Sequence, residues 1–266
     1  MTRVKHRVLG ATAVIFAAMA CGQIADPAGG ILSVSQLIPA WPSVVIGDVL
    51  RDSVGQPAPL TIVAYDVAGK PVTTAASTFV TPDSGIRIDG NLLYGVKSRT
   101  GAARVYGQVG ALQTAAASVD VVESPDSLAR GTRRTAAISP SLLDSTSESS
   151  FSEAITDTVL HRGATLAGVK SWVVKYTIVR QPAAASTSAP AAIVVDESGR
   201  ASPLDSTTAA GVASRRVQVK AIRLLDPRLA DSVIVRITAQ YKGVALPGSP
   251  YDVVIPFTPK AAARIP

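Results

Sequence analysis

From Ile31 onward the chain is written in short runs whose apolar residues alternate with polar ones, and that two-residue period is what most restricts its fold. The clearest run is Val233, Val235, Ile237, Ala239 and Tyr241, with Arg236, Thr238 and Gln240 on the opposite face. A period of two sends successive side chains to opposite faces of a strand. A helix would instead repeat its apolar residues every three or four positions. The same alternation recurs in Leu60, Ile62 and Ala64, in Ile86 and Ile88, in Leu92, Tyr94 and Val96, and in Ala103, Val105 and Gly107. It returns in Trp172, Val174, Tyr176 and Ile178, and again in Val217, Val219 and Ala221. Ala117 to Val122 and Ile193 to Val195 read as further strands, and turn-forming residues fall between the runs at Asp66 to Gly69, Asp89-Gly90-Asn91 and Asp196 to Gly199. Short strands punctuated by regular turns predict an all-β chain of sandwich type.

Residues 31–123 resemble the bacterial immunoglobulin-like domains often called group 2. The resemblance rests on Leu60 to Val72, on Ile86 to Gly90, and on the strand from Gly101 to Val105. Phe79 stands where that family usually carries a tryptophan. Residues 151–258 form a second β pattern that closes with Tyr241 to Ile255. There Pro247-Gly248-Ser249-Pro250-Tyr251 resembles the closing hairpin of filamin-type immunoglobulin-like repeats. Together the resemblances imply two immunoglobulin-like β-sandwich domains. The two blocks differ too much in length to be identical repeats. Between them, 124–150 is rich in Ser and Arg and reads as a linker, and 259–266 reads as a C-terminal tail.

Ahead of the strands, Arg3, Lys5 and Arg7 precede an apolar run from Val8 to Ala20. A charged start before a short apolar stretch is the pattern of a signal peptide, here 1–20. As a helix the run would reach about 20 Å, against a hydrocarbon core of about 30 Å, so it is short for a span. It ends in Ala18-Met19-Ala20-Cys21-Gly22, which resembles the lipobox of bacterial lipoproteins, with Ala18 where the family more often has leucine. In that family the cysteine takes a diacylglyceryl group, the leader is cut just before it, and the new amino terminus is acylated. The resemblance implies lipid attachment at Cys21, a tether over 21–30 and, because Gly22 and not an aspartate follows, delivery to the outer membrane. Each buried methylene contributes about 0.8 kcal/mol, so one acyl chain binds marginally and two or more hold firmly. The same small residues also fit ordinary signal cleavage, which would leave Cys21 a free thiol and the chain secreted or periplasmic.

Composition narrows the chemistry. The leader carries three of the 26 basic residues and none of the 19 acidic ones, so its removal lowers the formal charge from +7 to +4. Cys21 is the single cysteine, which rules out an internal disulfide or a cysteine-based zinc site. His6 leaves with the leader, and His161 beside Arg162 and Gly163 reads as a surface residue. No G-x-S-x-G elbow nominates a nucleophile. Asp196-Glu197 reads as a solvated turn and lacks the spaced ligands of a calcium loop. Arg215, Arg216, Arg223, Arg228 and Arg236 are interleaved with Asp226 and Asp231, which argues against nucleic acid. Arg130, Arg133 and Arg134 form a candidate interaction surface for lipid or polysaccharide phosphates, or else an ordinary solvated linker. Trp41, beside Pro42, is either an exposed ring or packing over the end of a sandwich. The expectation is a non-enzymatic envelope lipoprotein with no catalytic residues, cofactor or metal, attached to a membrane and presenting two domains to a protein or polysaccharide. An envelope enzyme or accessory subunit with a carboxylate site in the second domain, and a purely structural spacer, are the alternatives.

Overall fold

A computed structural model describes residues 31–34, 39–66, 68–72, 76–131, 138, 149–220, 223–225 and 231–257. The leader and tether with Cys21, the arginines Arg133 and Arg134, and the tail therefore lie outside the described residues. The described chain is all-β, as the alternation predicts. Among these residues no helix is long and apolar enough to cross a membrane.

The first unit comprises Ile31–Val34 (β1), Ser43–Val45 (β2), Ala64–Asp66 (β3), Pro71–Val72 (β4), Ser77–Val80 (β5), Ile86–Asp89 (β6), Leu92–Gly95 (β7), Ala103–Val109 (β8), Leu112–Gln113 (β9) and Ala117–Val122 (β10). One layer has the order β2-β10-β8-β5, with β9 folded back onto β8. The facing layer combines β1-β3-β4 with the β6-β7 hairpin. The Leu60 N–H donates to the Asn91 carbonyl at 2.7 Å, which ties the approach to β3 to that hairpin. Even-numbered Leu60 and Ala64 point inward, as do Ala103, Val105 and Val109 of β8. Leu60, Ala103 and Val105 meet Val44, Leu50, Phe79, Ile86, Leu93, Val119 and Val121 in a shared core, while Ala64 and Val109 form a smaller cluster with Ile62, Val72 and Leu112. Phe79 thus fills a core position.

The second unit comprises Ser127–Arg130 (β11), Ser149–Phe151 (β12), Ile155–Arg162 (β13), Leu166–Gly168 (β14), Val173–Arg180 (β15), Ala192–Val195 (β16), Leu204–Ser206 (β17), Val212–Lys220 (β18), Asp231–Thr238 (β19), Gln240–Tyr241 (β20), Val244–Ala245 (β21) and Tyr251–Phe257 (β22). β12 and β13 lie one after the other along one flank of β18, and β16 lies along its other flank. With β11 beside β13, this layer reads β11-β13-β18-β16, and the facing layer reads β17-β15-β19-β22. With β17 set aside as an extra edge strand, these are in sequence order the first, second, fifth and fourth strands against a layer built on the third, sixth and seventh, the arrangement of an immunoglobulin-like sandwich.

Residues 127–130 fall in the stretch expected to be linker, yet they form β11 and pair with β13 from Ser127↔Leu160 to Arg130↔Asp157. Only Leu128 of that strand enters the core, so its sequence carries no alternation to see. Both units also share a device at their start. In the first, β1 pairs with β3 in one layer and β2 pairs parallel to β10 in the other. In the second, β11 belongs to one layer while fully buried Ile138 donates its N–H to Pro256 of β22 in the other, at 2.9 Å. The opening stretch of each unit thus crosses between layers and ties them together.

Gly211 shows how closely the second unit is packed. It immediately precedes β18 with φ of +78°, and a Cβ there would lie 2.6 Å from both Gly168 Cα and the Val159 carbonyl oxygen. The left-handed backbone and the lack of space act together. Gly211→Ala is therefore expected to destabilise the second unit by about 1–3 kcal/mol, read as a lower midpoint with unchanged slope in urea unfolding.

Candidate functional site

The most elaborate polar and aromatic assembly joins the two units. Its base is the parallel pair of β2 and β10, where Val44 lies beside Val121 and Val45 beside Val122. Side chains alternate along each strand, so Val44 and Val121 enter the first core. Val45 and Val122 point the other way and belong to the apolar cluster of the second unit. One pair of strands thus serves two cores.

Around this base three aromatic rings meet edge to face. Trp41 lies 6.3 Å from Trp172 at 65°, and Trp172 lies 5.7 Å from Tyr241 at 79°. Such geometries suit the ring quadrupoles and contribute about 0.5–1.5 kcal/mol per pair beyond simple burial. Trp41 takes the packing role of its two expected readings. Tyr241 ends β20, and its chain reverses through Lys242 and Gly243, both with positive φ, into β21. Two consecutive left-handed residues define the tight turn suited to twisted hairpins. The tip meets the first unit so closely that a Cβ on Gly55 would collide with the Gly243 backbone.

Two carboxylates lock the contact. Asp48 accepts from Arg51 Nε and Nη2, both at 2.8 Å, and from the Tyr241 hydroxyl at 2.7 Å, with Lys242 Nζ at 3.6 Å. Burial alone would raise this carboxyl. The hydrogen bonds from Arg51, Tyr241 and the Val49 backbone outweigh burial and hold it well below the usual carboxylate range. The same burial, followed by the bond to Asp48, pushes the Tyr241 phenol up. On the other side, Asp120 accepts from Lys170 Nζ at 2.7 Å and from the Ser171 hydroxyl at 2.5 Å. Ser171, at φ of 52°, offers its carbonyl to the Ser43 hydroxyl at 2.9 Å. Gln240 donates to the Ser53 carbonyl. The cleft left between these groups is about 20 Å³, room for little more than one water.

The connection between the units is also pinned. His161 Nδ1 lies 2.8 Å from the Ser124 carbonyl and 3.0 Å from the Asp126 carboxylate, which also accepts the Arg162 N–H at 2.6 Å. The imidazole expected at the surface is thus partly buried against the connecting chain.

Of the arginines expected to form an interaction surface, Arg130 is exposed at the end of β11, with its guanidinium 4.3 Å from the centre of the Tyr251 ring. The exposed turn at Asp196 holds its own carboxylate low through bonds from Ser198 and the Arg200 backbone. In the second unit Asp205, Asp231 and Asp252 are paired with Arg215, Arg180 and Arg236. Among the described residues no three His, Cys, Asp or Glu side chains converge as a metal set. Of the joint residues, Asp48, Arg51, Asp120 and Lys170 carry no motif, and Tyr241 stands in the sequence only as a strand and hairpin residue. The usable signal is the placement of Trp41, Trp172 and Tyr241 in a chain with only 5% aromatic residues.

No protein-family model matches the chain, and no curated protein sequence does. Among solved structures, the adhesin InvE of Yersinia pseudotuberculosis aligns at 16% identity and a TM-score of 0.33, over 86% of this chain and 60% of that one. Domains 4 and 5 of the S-layer protein SbsC align at 14% identity and a TM-score of 0.28, over 87% of this chain and 99% of that one. Mouse cadherin-23 EC22–24 aligns at 12% identity and a TM-score of 0.25, covering 85% and 64%. The chain therefore spans less than two thirds of both the adhesin and the cadherin fragment. At such scores the likeness says nothing of activity or partner, and the sandwich assignment rests on the strand order described above.

Asp48→Ala would leave Arg51 and the Tyr241 hydroxyl without their shared acceptor, at a cost of about 1–3 kcal/mol. Faster amide hydrogen exchange confined to β2, β20 and β21 is the expected sign. Because the Asp48 carboxyl is lowered on folding, its contribution is present above the unfolded value of about 4 and is lost as pH falls through the lower folded value. Protection of the joint amides relative to their intrinsic exchange rate should therefore be level from pH 8 to 5 and fall only in stronger acid.

Proposed function

We propose that this chain is a non-enzymatic protein of the bacterial cell envelope, held at the outer membrane through lipid on Cys21. Its two immunoglobulin-like sandwiches act as one stiff arm that presents loops and strand edges to an envelope protein or polysaccharide. The observation that carries the reading is the joint. Two cores share the β2-β10 pair, three rings interlock, and Asp48 and Asp120 fasten opposite sides of the contact. A hinge that opened and closed around a substrate would expose this assembly at each cycle. A fixed joint instead fits a protein whose task is to hold a surface at a set distance and angle from its anchor. The leader supports the anchor through its apolar run and the Ala18-Met19-Ala20-Cys21-Gly22 sequence. The aspartates of the second unit support the non-enzymatic reading, since three are paired with arginines and Asp157 is fully buried.

Crosslinking in intact cells, comparing the natural chain with Cys21→Ser, tests the two halves of this reading separately. The natural chain should fractionate with outer membranes and yield a discrete adduct with one envelope protein or with polysaccharide. Cys21→Ser should move to the soluble fraction and lose the adduct. Retention of that variant in membranes would contradict the anchor, and absence of any adduct from the natural chain would favour a bare spacer over a presenting arm.

A further inference from the structure

Asp157 lies on the inward face of β13, fully buried, and neither of its carboxyl oxygens has a hydrogen-bond partner among the described residues. The Tyr176 hydroxyl, reaching in from β15 of the facing layer, is equally buried and closes no bond of standard geometry. It nevertheless lies near enough to favour the ionised carboxyl. On β11 the residue directly opposite Asp157 is Arg130. Opposed residues on paired strands share a face, with Cβ atoms about 4.5–5.5 Å apart. Arg130 does not use that proximity. Its guanidinium sits at the open side of the sandwich over Tyr251 of β22. On β18 the opposite residue is Ala213, which brings no charge. Asp205 and Arg215, paired at 2.8 Å, act on Tyr176 and not directly on Asp157.

An ionised carboxylate without hydrogen bonds is costly in such a core, whereas the neutral acid needs only one weak partner. Burial dominates and pushes the Asp157 carboxyl up to about 7, with Tyr176 and then Arg130 drawing it partly back. The cation that limits the rise is the one parked on the neighbouring ring.

We propose that Asp157 and Arg130 form a pH-operated latch in the second sandwich: a protonated Asp157 leaves Arg130 on the Tyr251 ring, and loss of that proton draws the guanidinium inward to the carboxylate. The movement is a side-chain rotation. β11 stays in place, because the Gly131 N–H donates to the Thr156 carbonyl at 2.8 Å and the Leu128 N–H to Pro247 at 2.9 Å. The latch alters what the open side of the sandwich displays, an arginine-capped ring in acid and a bare Tyr251 in alkali.

The folded chain keeps the Asp157 proton to a higher pH than the unfolded chain does. The stability this confers is full below about pH 4 and is lost as pH rises through about 7, with the folding constant falling about tenfold per pH unit between them. Carbon-13 NMR of the purified protein from pH 4 to 9 tests the latch. The Asp157 carboxyl should titrate near neutrality. The Arg130 Hδ protons should be shifted upfield by the Tyr251 ring below that midpoint and return to ordinary values above it. In Asp157→Asn, which keeps the shape and removes the charge change, Arg130 should stay on the ring at every pH and the tenfold-per-unit slope in urea stability should vanish. In Arg130→Met the Asp157 midpoint should rise. An Asp157 midpoint in the ordinary carboxylate range, or Arg130 protons that do not move as Asp157 titrates, would overturn the proposal.

Discussion

The architecture depends on two adjacent valine pairs. Because neighbouring residues of a strand face opposite ways, Val44 and Val121 complete the first core while Val45 and Val122, one position further on, complete the second. Neither unit can withdraw from the other without uncovering apolar surface, at about 25 cal/mol for each Å² exposed. The aromatic trio and the two locked carboxylates sit around this seam. They add direction to a contact whose driving force is burial.

The crossing of each opening stretch between layers supports the same constraint. In the first unit it delivers β2 to β10, and so creates the strand pair on which the joint is built. In the second it brings Ile138 to β22. A sandwich whose two layers are both held by its opening stretch resists sliding of one layer over the other.

Much of the fold is legible in the sequence where one face is buried and the other wet. Ala117 to Val122 forms β10 as read, Val174 and Tyr176 face inward from β15, and Val233, Val235 and Ile237 line the core from β19. Legibility fails where that premise fails. β2 is buried on both faces, so Ser43-Val44-Val45 shows no alternation. β11 hides in a Ser- and Arg-rich stretch because Leu128 alone enters the core. Asp157 breaks the rule from the other side, a charged residue type at an inward position between Ile155 and Val159. The joint is the least visible part. Asp48 and Tyr241 are 193 positions apart, and no local pattern announces a partner at that distance.

The proposed presentation from an anchor at Cys21 requires the two units to behave as a single body. Loop contacts alone would leave them free to swivel, as interfaces between domains of one chain commonly allow. The direct test is a distance distribution by pulsed electron spin resonance between nitroxides at Asp89→Cys and Glu197→Cys, both exposed positions on different units, in a Cys21→Ser background. One narrow distance, unchanged between pH 5 and 8, is the predicted result, and a broad or multiple distribution would contradict the rigid joint and the function built on it.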